Sequence, residues 1–326
     1  MSLLSFSVLI AQVAYGFGAG TSLTYDVNVK FDGFLPLFGG NEGIVDVAMT
    51  VGVNGQEPTD GALKATSEIR TFDLKFNEAS LPVTLDNVTQ FFPKTTVMLS
   101  PAGKILSNDA PDRKLPVRLP GLDVKRFPDI TYVPIEFPGE ETAEGATWSF
   151  ERDFGGAPLV YDCTLVSLTN GTAQIAVKVR QEFTVLENPA LEVVTDRAEA
   201  VSEVKTTLKG EGKVTFDTVR GLATASHMTN EAVSDVKNLA SGATSQRKLK
   251  TVYQVELKGA SGATKVTAAR SKGWQFNWDT GRAFVAWIQM AVHFGLAALP
   301  REIERWAPGL KQVFPWLSQE KRPARR

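Results

Sequence analysis

The sequence predicts a mainly β protein, with one large curved antiparallel sheet or half-barrel and helices at the C-terminal end. Three observations predict this fold. Apolar and polar residues alternate with a period of two through most of the chain between Leu23 and Leu257, which is typical of strands with one buried and one wet face. Turn-forming pairs such as Asn170-Gly171 recur between the alternating runs. After Gly273 the composition changes to that of an apolar, tryptophan-rich helix former.

The first strand shows the alternation most clearly. Its predicted buried face holds Leu23, Tyr25, Val27, Val29 and Phe31. The same pattern predicts strands over 44–53, 68–76, 95–99, 159–168, 173–186, 205–208, 213–216, 222–233 and 249–257. Turn signals separate them at Asn54-Gly55, Asp60-Gly61, Asn170-Gly171 and Gly210-Glu211-Gly212. The body of the chain is therefore expected to be an antiparallel meander with many hairpins.

The composition is that of a chain that folds. Of 326 residues, 43% are hydrophobic and 22% charged, which argues against global disorder and against a polytopic membrane protein. The length is sufficient to bury a sizeable core without disulfides. Cys163 is the single cysteine, so it cannot form an intramolecular disulfide or a paired-cysteine metal site. We expect it to be a small buried side chain in a strand.

Residues 1–20 form an uncharged apolar segment with small residues toward its end. This segment resembles the apolar and cleavage regions of a secretory signal, with Ala14 and Gly16 at the −3 and −1 positions. A first core strand or a short buried helix is the alternative. A signal would place the protein outside the cytoplasm, in the periplasm or cell envelope.

Prolines divide the body into two predicted halves. The proline-rich residues 111–140 cannot supply central strands, since each proline lacks a backbone donor, and we interpret them as an extended connection. The first β half is then 21–110 and the second is 141–269. The openings of the two halves, residues 20–25 and 145–150, are similar enough to suggest a duplicated half. Chance similarity between strand-and-turn sequences is the alternative.

One group of residues carries a resemblance to known proteins. Pro134 and Pro138 lead into an opening formed by Gly145 and Trp148. This arrangement resembles a group of uncharacterised exported bacterial β-sheet proteins, which are similar in outline to lipoprotein carriers. The resemblance implies a strongly curved antiparallel sheet that half-encloses an apolar cavity, and an apolar ligand or lipid as partner. It implies no catalytic residues.

Residues 270–326 form a basic, tryptophan-rich tail. Ten Lys and Arg stand against four Asp and Glu, whereas the whole chain has a net charge of −1. The predicted helix over 283–299 is apolar nearly all round. It could cross a membrane, lie at the membrane interface, or pack on the sheet and plug its cavity. The candidate membrane or cavity-covering contacts are Trp274, Trp278, Phe284, Trp287, Ile288, Phe294, Trp306 and Trp316.

The sequence contains no recognisable catalytic, cofactor or metal-binding motif. Ser226 and His227 are adjacent, but neighbouring side chains on a strand point to opposite faces, so they cannot form a local dyad. We therefore predict a non-enzymatic extracytoplasmic binding or structural module of the cell envelope. One alternative is a carrier of an apolar ligand or lipid in a β cavity covered by the C-terminal helix. The other is an enzyme with carboxylates assembled by the fold. Nucleic acid is not an expected partner, because the basic residues are spread along an apolar segment.

Overall fold

A computed structural model describes residues 13–35, 41–111, 128–140, 142–153, 157–188, 194 and 196–262. All of these residues belong to one compact unit, Met1–Ala269. The tail over 270–326, with its eight candidate contact residues, lies outside the described part of the chain.

The described residues are mainly β, as predicted. The strands are β1 (Ser22–Leu35), β2 (Asn41–Thr59), β3 (Ala62–Phe76), β4 (Ala79–Ser80), β5 (Thr95–Leu99), β6 (Ile105–Asn108), β7 (Thr147–Asp153), β8 (Pro158–Thr169), β9 (Thr172–Glu187), β10 (Ser202–Asp217), β11 (Leu222–Asn238) and β12 (Thr244–Ser261). Two short helices, α1 (Leu85–Phe91) and α2 (Asp129–Tyr132), and one 3-10 turn (Arg197–Glu199) complete the regular structure.

All twelve strands belong to one open antiparallel sheet. Its order is β6-β5-β3-β2-β1-β12-β11-β10-β9-β8-β7, and the two-residue β4 pairs with β3. The first strand therefore lies beside the last, with pairs running from Ser22 and Ser261 to Gly33 and Leu249. This long-range pairing joins two meanders into a single sheet, whose edges are β6 and β7.

One face of the sheet is a continuous apolar surface. On β1, Leu23 and Val27 are fully buried, as the alternation predicts. The register places Val27 between Met49 of β2 and Val255 of β12, so apolar side chains line up across the strands. The opposite face is wet and carries exposed ion pairs such as Lys30–Asp46, at 3.9 Å.

Residues 13–18 belong to the core. Tyr15 and Phe17 are almost fully buried, and the Tyr15 ring lies edge-on to Phe216 with their centroids 5.1 Å apart. The Tyr15 hydroxyl donates to the carbonyl of Ile135 at 2.9 Å. Signal cleavage after Gly16 does not fit this packing, because it would remove Tyr15 from the core. Residues 13–18 are neither helix nor strand. The backbone N–H of Tyr15 donates to the carbonyl of Pro101, in a loop, at 2.8 Å.

The end of the proline-rich stretch is more than a connection. Tyr132, Val133 and Ile135 are fully buried against the sheet. Asp129 anchors this segment, because its carboxylate accepts hydrogen bonds from Ser67 Oγ at 3.0 Å, from the Tyr132 hydroxyl at 2.8 Å and from Asn108 Nδ2. We refer to residues 128–138 as the covering segment.

Two predicted turns are wrong. Gly210-Glu211-Gly212 lies inside β10, which joins the two short strands predicted on either side of it, and Asn54-Gly55 lies inside β2. A Cβ at Gly212 would collide with the His227 carbonyl oxygen and with Met228, and one at Gly210 would collide with the Asn230 side chain. These glycines let the neighbouring strand approach closely and do not reverse the chain. Asp60-Gly61 and Asn170-Gly171 are turns, as predicted, with all four residues at positive φ.

Candidate ligand-binding cavity

A cavity lies on the apolar face of the sheet, between the strands and the covering segment. Its described walls come from seven neighbouring strands, β1 and β7–β12, and from Ile130, Pro134 and Ile135 of the covering segment. Seven consecutive strands can line one cavity only if the sheet curves around it. The structure therefore shows the curved sheet that the sequence predicts.

The cavity walls are mostly apolar. Val29 and Phe31 of β1, Leu159 of β8, and Val177 and Val179 of β9 contribute to them. The cavity volume is about 70 Å³, and its mouth is partly open to solvent. An engineered apolar cavity about twice this size, about 150 Å³, binds benzene. In this conformation, the cavity therefore suits a slim group better than a ring or a whole lipid.

Arg152 is the one charged side chain among the described residues that line the cavity. It is 1% exposed, although it lies at the sheet edge on β7. Its Nε donates to Glu136 Oε1 at 3.3 Å, and its Nη2 donates to the carbonyl of Val133 at 2.9 Å. The guanidinium carbon lies 5.4 Å from the centroid of the Tyr161 ring. Arg152 Nη1 is buried and has no hydrogen-bond partner among the described residues.

Three further residues that line the cavity have buried polar atoms without a partner in the described part of the chain. They are Ser226 Oγ, Asn230 Oδ1 and the Tyr253 hydroxyl. The register brings them close together, since Met228 lies between Ser226 and Asn230 on β11 and pairs with Tyr253 of β12. Burial raises the pKa of Tyr253, so its hydroxyl stays protonated at any ordinary pH. Buried polar atoms are nearly always paired in proteins, so four unpaired ones around a single cavity call for an explanation.

The sequence predicted the curved sheet but not the polar residues that line its cavity. The large antiparallel sheet is confirmed, whereas all the candidate contact residues of the tail lie outside the described residues. Arg152, Ser226, Asn230 and Tyr253 were missed. The alternation contained a signal for Arg152, because it places this charge on the same face of β7 as Trp148 and Phe150.

The structure also bears on the single cysteine, on metal binding and on membrane-spanning helices. Cys163 is buried in β8, as predicted, and burial raises the pKa of its thiol to about 12. Within the described ranges, no three His, Cys, Asp or Glu side chains are grouped so that they could hold a metal ion. The helices of the described part are too short or too polar to cross a bilayer.

Comparison with known proteins gives a structural likeness but no sequence relative. No protein-family model matches the sequence, and no curated protein matches it. Among solved structures, one described as "lipid-protein interactions in lipovitellin" is similar, with 15% sequence identity and a TM-score of 0.45. The likeness covers 78% of this chain but 26% of that one, so the present chain spans about a quarter of its length.

Proposed function

We propose that this protein binds an apolar ligand with a slim, flexible chain in the cavity of its curved sheet. The observation that supports this proposal is the cavity itself, which seven strands line, mostly with apolar side chains. An unbranched hydrocarbon chain suits so narrow a space. Burying four of its methylene groups would contribute about 3 kcal/mol to binding.

The energetics of the cavity also favour binding over a purely structural role. A void in a core forfeits packing contacts, and unpaired buried polar atoms add a desolvation cost. A protein whose sheet served only as a scaffold would gain stability by filling the space with larger side chains. A bound ligand would supply these packing contacts and hydrogen bonds and so offset both costs. The structural-module function predicted from the sequence stays a prediction.

Isothermal titration calorimetry of the full chain with 1-alkanols of four to ten carbons tests the proposal. We expect saturable binding, with the affinity rising about fourfold for each added methylene until the cavity is filled. Val177→Phe places a ring in the cavity and should abolish this binding. Val166→Phe is the matched control, because Val166 is 58% exposed on the adjacent strand. Affinity that does not depend on chain length, or that survives Val177→Phe, would contradict the proposal.

Two further parts of the proposal rest on the sequence alone. We propose that binding takes place outside the cytoplasm and without catalysis, because residues 1–20 have signal-like composition and the sequence contains no catalytic motif. Any cleavage must then occur before Val13 to preserve the core. Fractionation of cells that produce a C-terminally tagged chain tests the location. Recovery of the full-length protein from the cytosol alone would contradict it.

A further inference from the structure

The unpaired polar atoms of the cavity carry information about the ligand's polar end. Resting on the proposed function, we infer that the ligand is uncharged and ends in a hydroxyl-bearing group, as in a long-chain alcohol or a monoacylglycerol. The proposed function depends on the apolar walls, whereas this inference depends on the four polar atoms and on the charge that surrounds them. The two can therefore fail separately.

The ligand must offer a hydrogen-bond acceptor. Arg152 Nη1 can only donate, and it is buried in the cavity wall without an acceptor among the described residues. Elsewhere on the guanidinium, Nε donates to Glu136, and Nη2 donates to the Val133 carbonyl. A small shift of the side chain toward the cavity would let a ligand oxygen accept a hydrogen bond from Nη1.

The ligand must also offer a donor. Asn230 Oδ1 can only accept, and it too is buried and unpaired in the described part of the chain. The hydroxyls of Ser226 and Tyr253 are also unpaired in the described residues, and each can donate to or accept from a ligand hydroxyl. A ligand hydroxyl accepts and donates at the same time and is small enough for the space available. An ether or an ester accepts only, and leaves Asn230 unsatisfied.

The charge balance of the site excludes an ionised end. Glu136, at 3.3 Å, already compensates the charge of Arg152. The described lining holds no other charged residue. A ligand carboxylate would leave the cavity with a net negative charge, and an ammonium group would leave it with a net positive charge. An unpaired charge in apolar surroundings is far costlier than an uncharged hydroxyl that is fully hydrogen-bonded.

A series of head groups on chains of equal length tests the inference. In calorimetric titrations at pH 7, we expect 1-octanol to bind at least about tenfold more tightly than octanoate or octylammonium. Heptyl methyl ether, which accepts but cannot donate, should bind with intermediate affinity. Octanoate that binds as tightly as 1-octanol would overturn the inference. The chain-length dependence of the alkanols would still support the proposed function.

The variant Asn230→Leu tests whether Asn230 accepts a hydrogen bond from the ligand hydroxyl. Leucine has nearly the shape of asparagine but cannot accept, so 1-octanol should lose about three- to tenfold in affinity and become equal to the ether. The affinity of the ether should not change. Tyr253→Phe provides a second test, because it removes one unpaired hydroxyl and should also weaken 1-octanol. Asn28→Leu, at an exposed position on the other face of β1, is the matched control.

The stability of the same variants separates ligand recognition from a merely hydrated cavity. If these polar atoms are unpaired in the free protein, deleting one of them removes a desolvation cost. The unfolding temperature of the free protein should then stay unchanged or rise. Should both variants unfold at lower temperature while the ratio of 1-octanol to ether affinity stays at the wild-type value, ordered water alone occupies these sites. That result would overturn the inference.

Discussion

The buried charged side chains of this protein differ in how completely they are hydrogen-bonded. The Asp129 carboxylate is fully buried and accepts hydrogen bonds from Ser67, Asn108 and Tyr132. Arg152 is as deeply buried, but its Nη1 nitrogen has no partner among the described residues. A fully paired group fixes the fold, whereas an incompletely paired group beside a cavity costs stability and is available to a ligand.

The Asp129 network should make a measurable contribution to stability. Asp129→Ala leaves the buried hydroxyls of Ser67 and Tyr132 and the partly buried amide of Asn108 without this acceptor. We expect the free energy of unfolding to fall by about 3 kcal/mol. Denaturation in guanidinium chloride measures this change. Asp73→Ala is the control, because the Asp73–Lys75 pair is exposed and should contribute less than about 0.5 kcal/mol. Equal losses for the two variants would show that the network does not anchor the covering segment.

At the scale of single strands, the sequence is a good guide wherever one face is buried and the other wet. The alternation in β1 predicts its buried residues directly, because each position has only two faces to choose from. The predicted turn at Gly210 and Gly212 is wrong, because these glycines allow the next strand to approach closely. No local pattern shows that need, because Asn230 and Met228 meet these glycines only through the pairing of β10 with β11.

The hairpin turns provide a prediction at the scale of elements. Gly61 and Gly171 both have a φ of +77°, which strains any residue with a Cβ. At Gly61 the space is open, so Gly61→Ala should cost about 1 kcal/mol of folding free energy from backbone strain alone. Gly171→Ala should cost more, because the new methyl group would lie 2.6 Å from Val219 Cγ2.

Chemical denaturation of both variants, with and without Val219→Ala, measures the difference between the two turns. Val219→Ala should remove the excess cost at Gly171 and leave the cost at Gly61 unchanged, since Val219 does not contact Gly61. Equal costs at the two turns in the presence of Val219 would contradict the steric argument.

At the scale of the whole molecule, the cavity is a product of topology that no single segment encodes. Arg152 and Tyr253 are about a hundred positions apart, and four strands lie between theirs in the sheet. They line one cavity because seven strands curve around it. Sequence patterns that act over a few residues can therefore predict the sheet and its apolar face, but not which polar residues meet there.

The tyrosines offer a test of the whole fold through its response to alkali. The chain has five tyrosines, and burial raises the pKa of each one above its ordinary value of 10.0. Burial likewise raises the pKa of Cys163 from 9.0 to about 12. In the unfolded chain these groups lose their protons at ordinary pKa values, while the folded protein keeps them. Stability from these groups is therefore fully present below about pH 9 and falls as the pH rises above it.

Absorbance at 295 nm, which reports tyrosinate, follows this behaviour directly. We expect no tyrosine signal from the folded protein as the pH passes 10, and then a single rise, equivalent to all five tyrosines, that coincides with loss of the β-sheet circular dichroism signal. The chain unfolded in guanidinium chloride is the control and should titrate smoothly around 10. One or more tyrosines that ionise near pH 10 while the sheet remains intact would show that their hydroxyls are open to water, and Tyr253 could then no longer serve as a buried partner for a ligand.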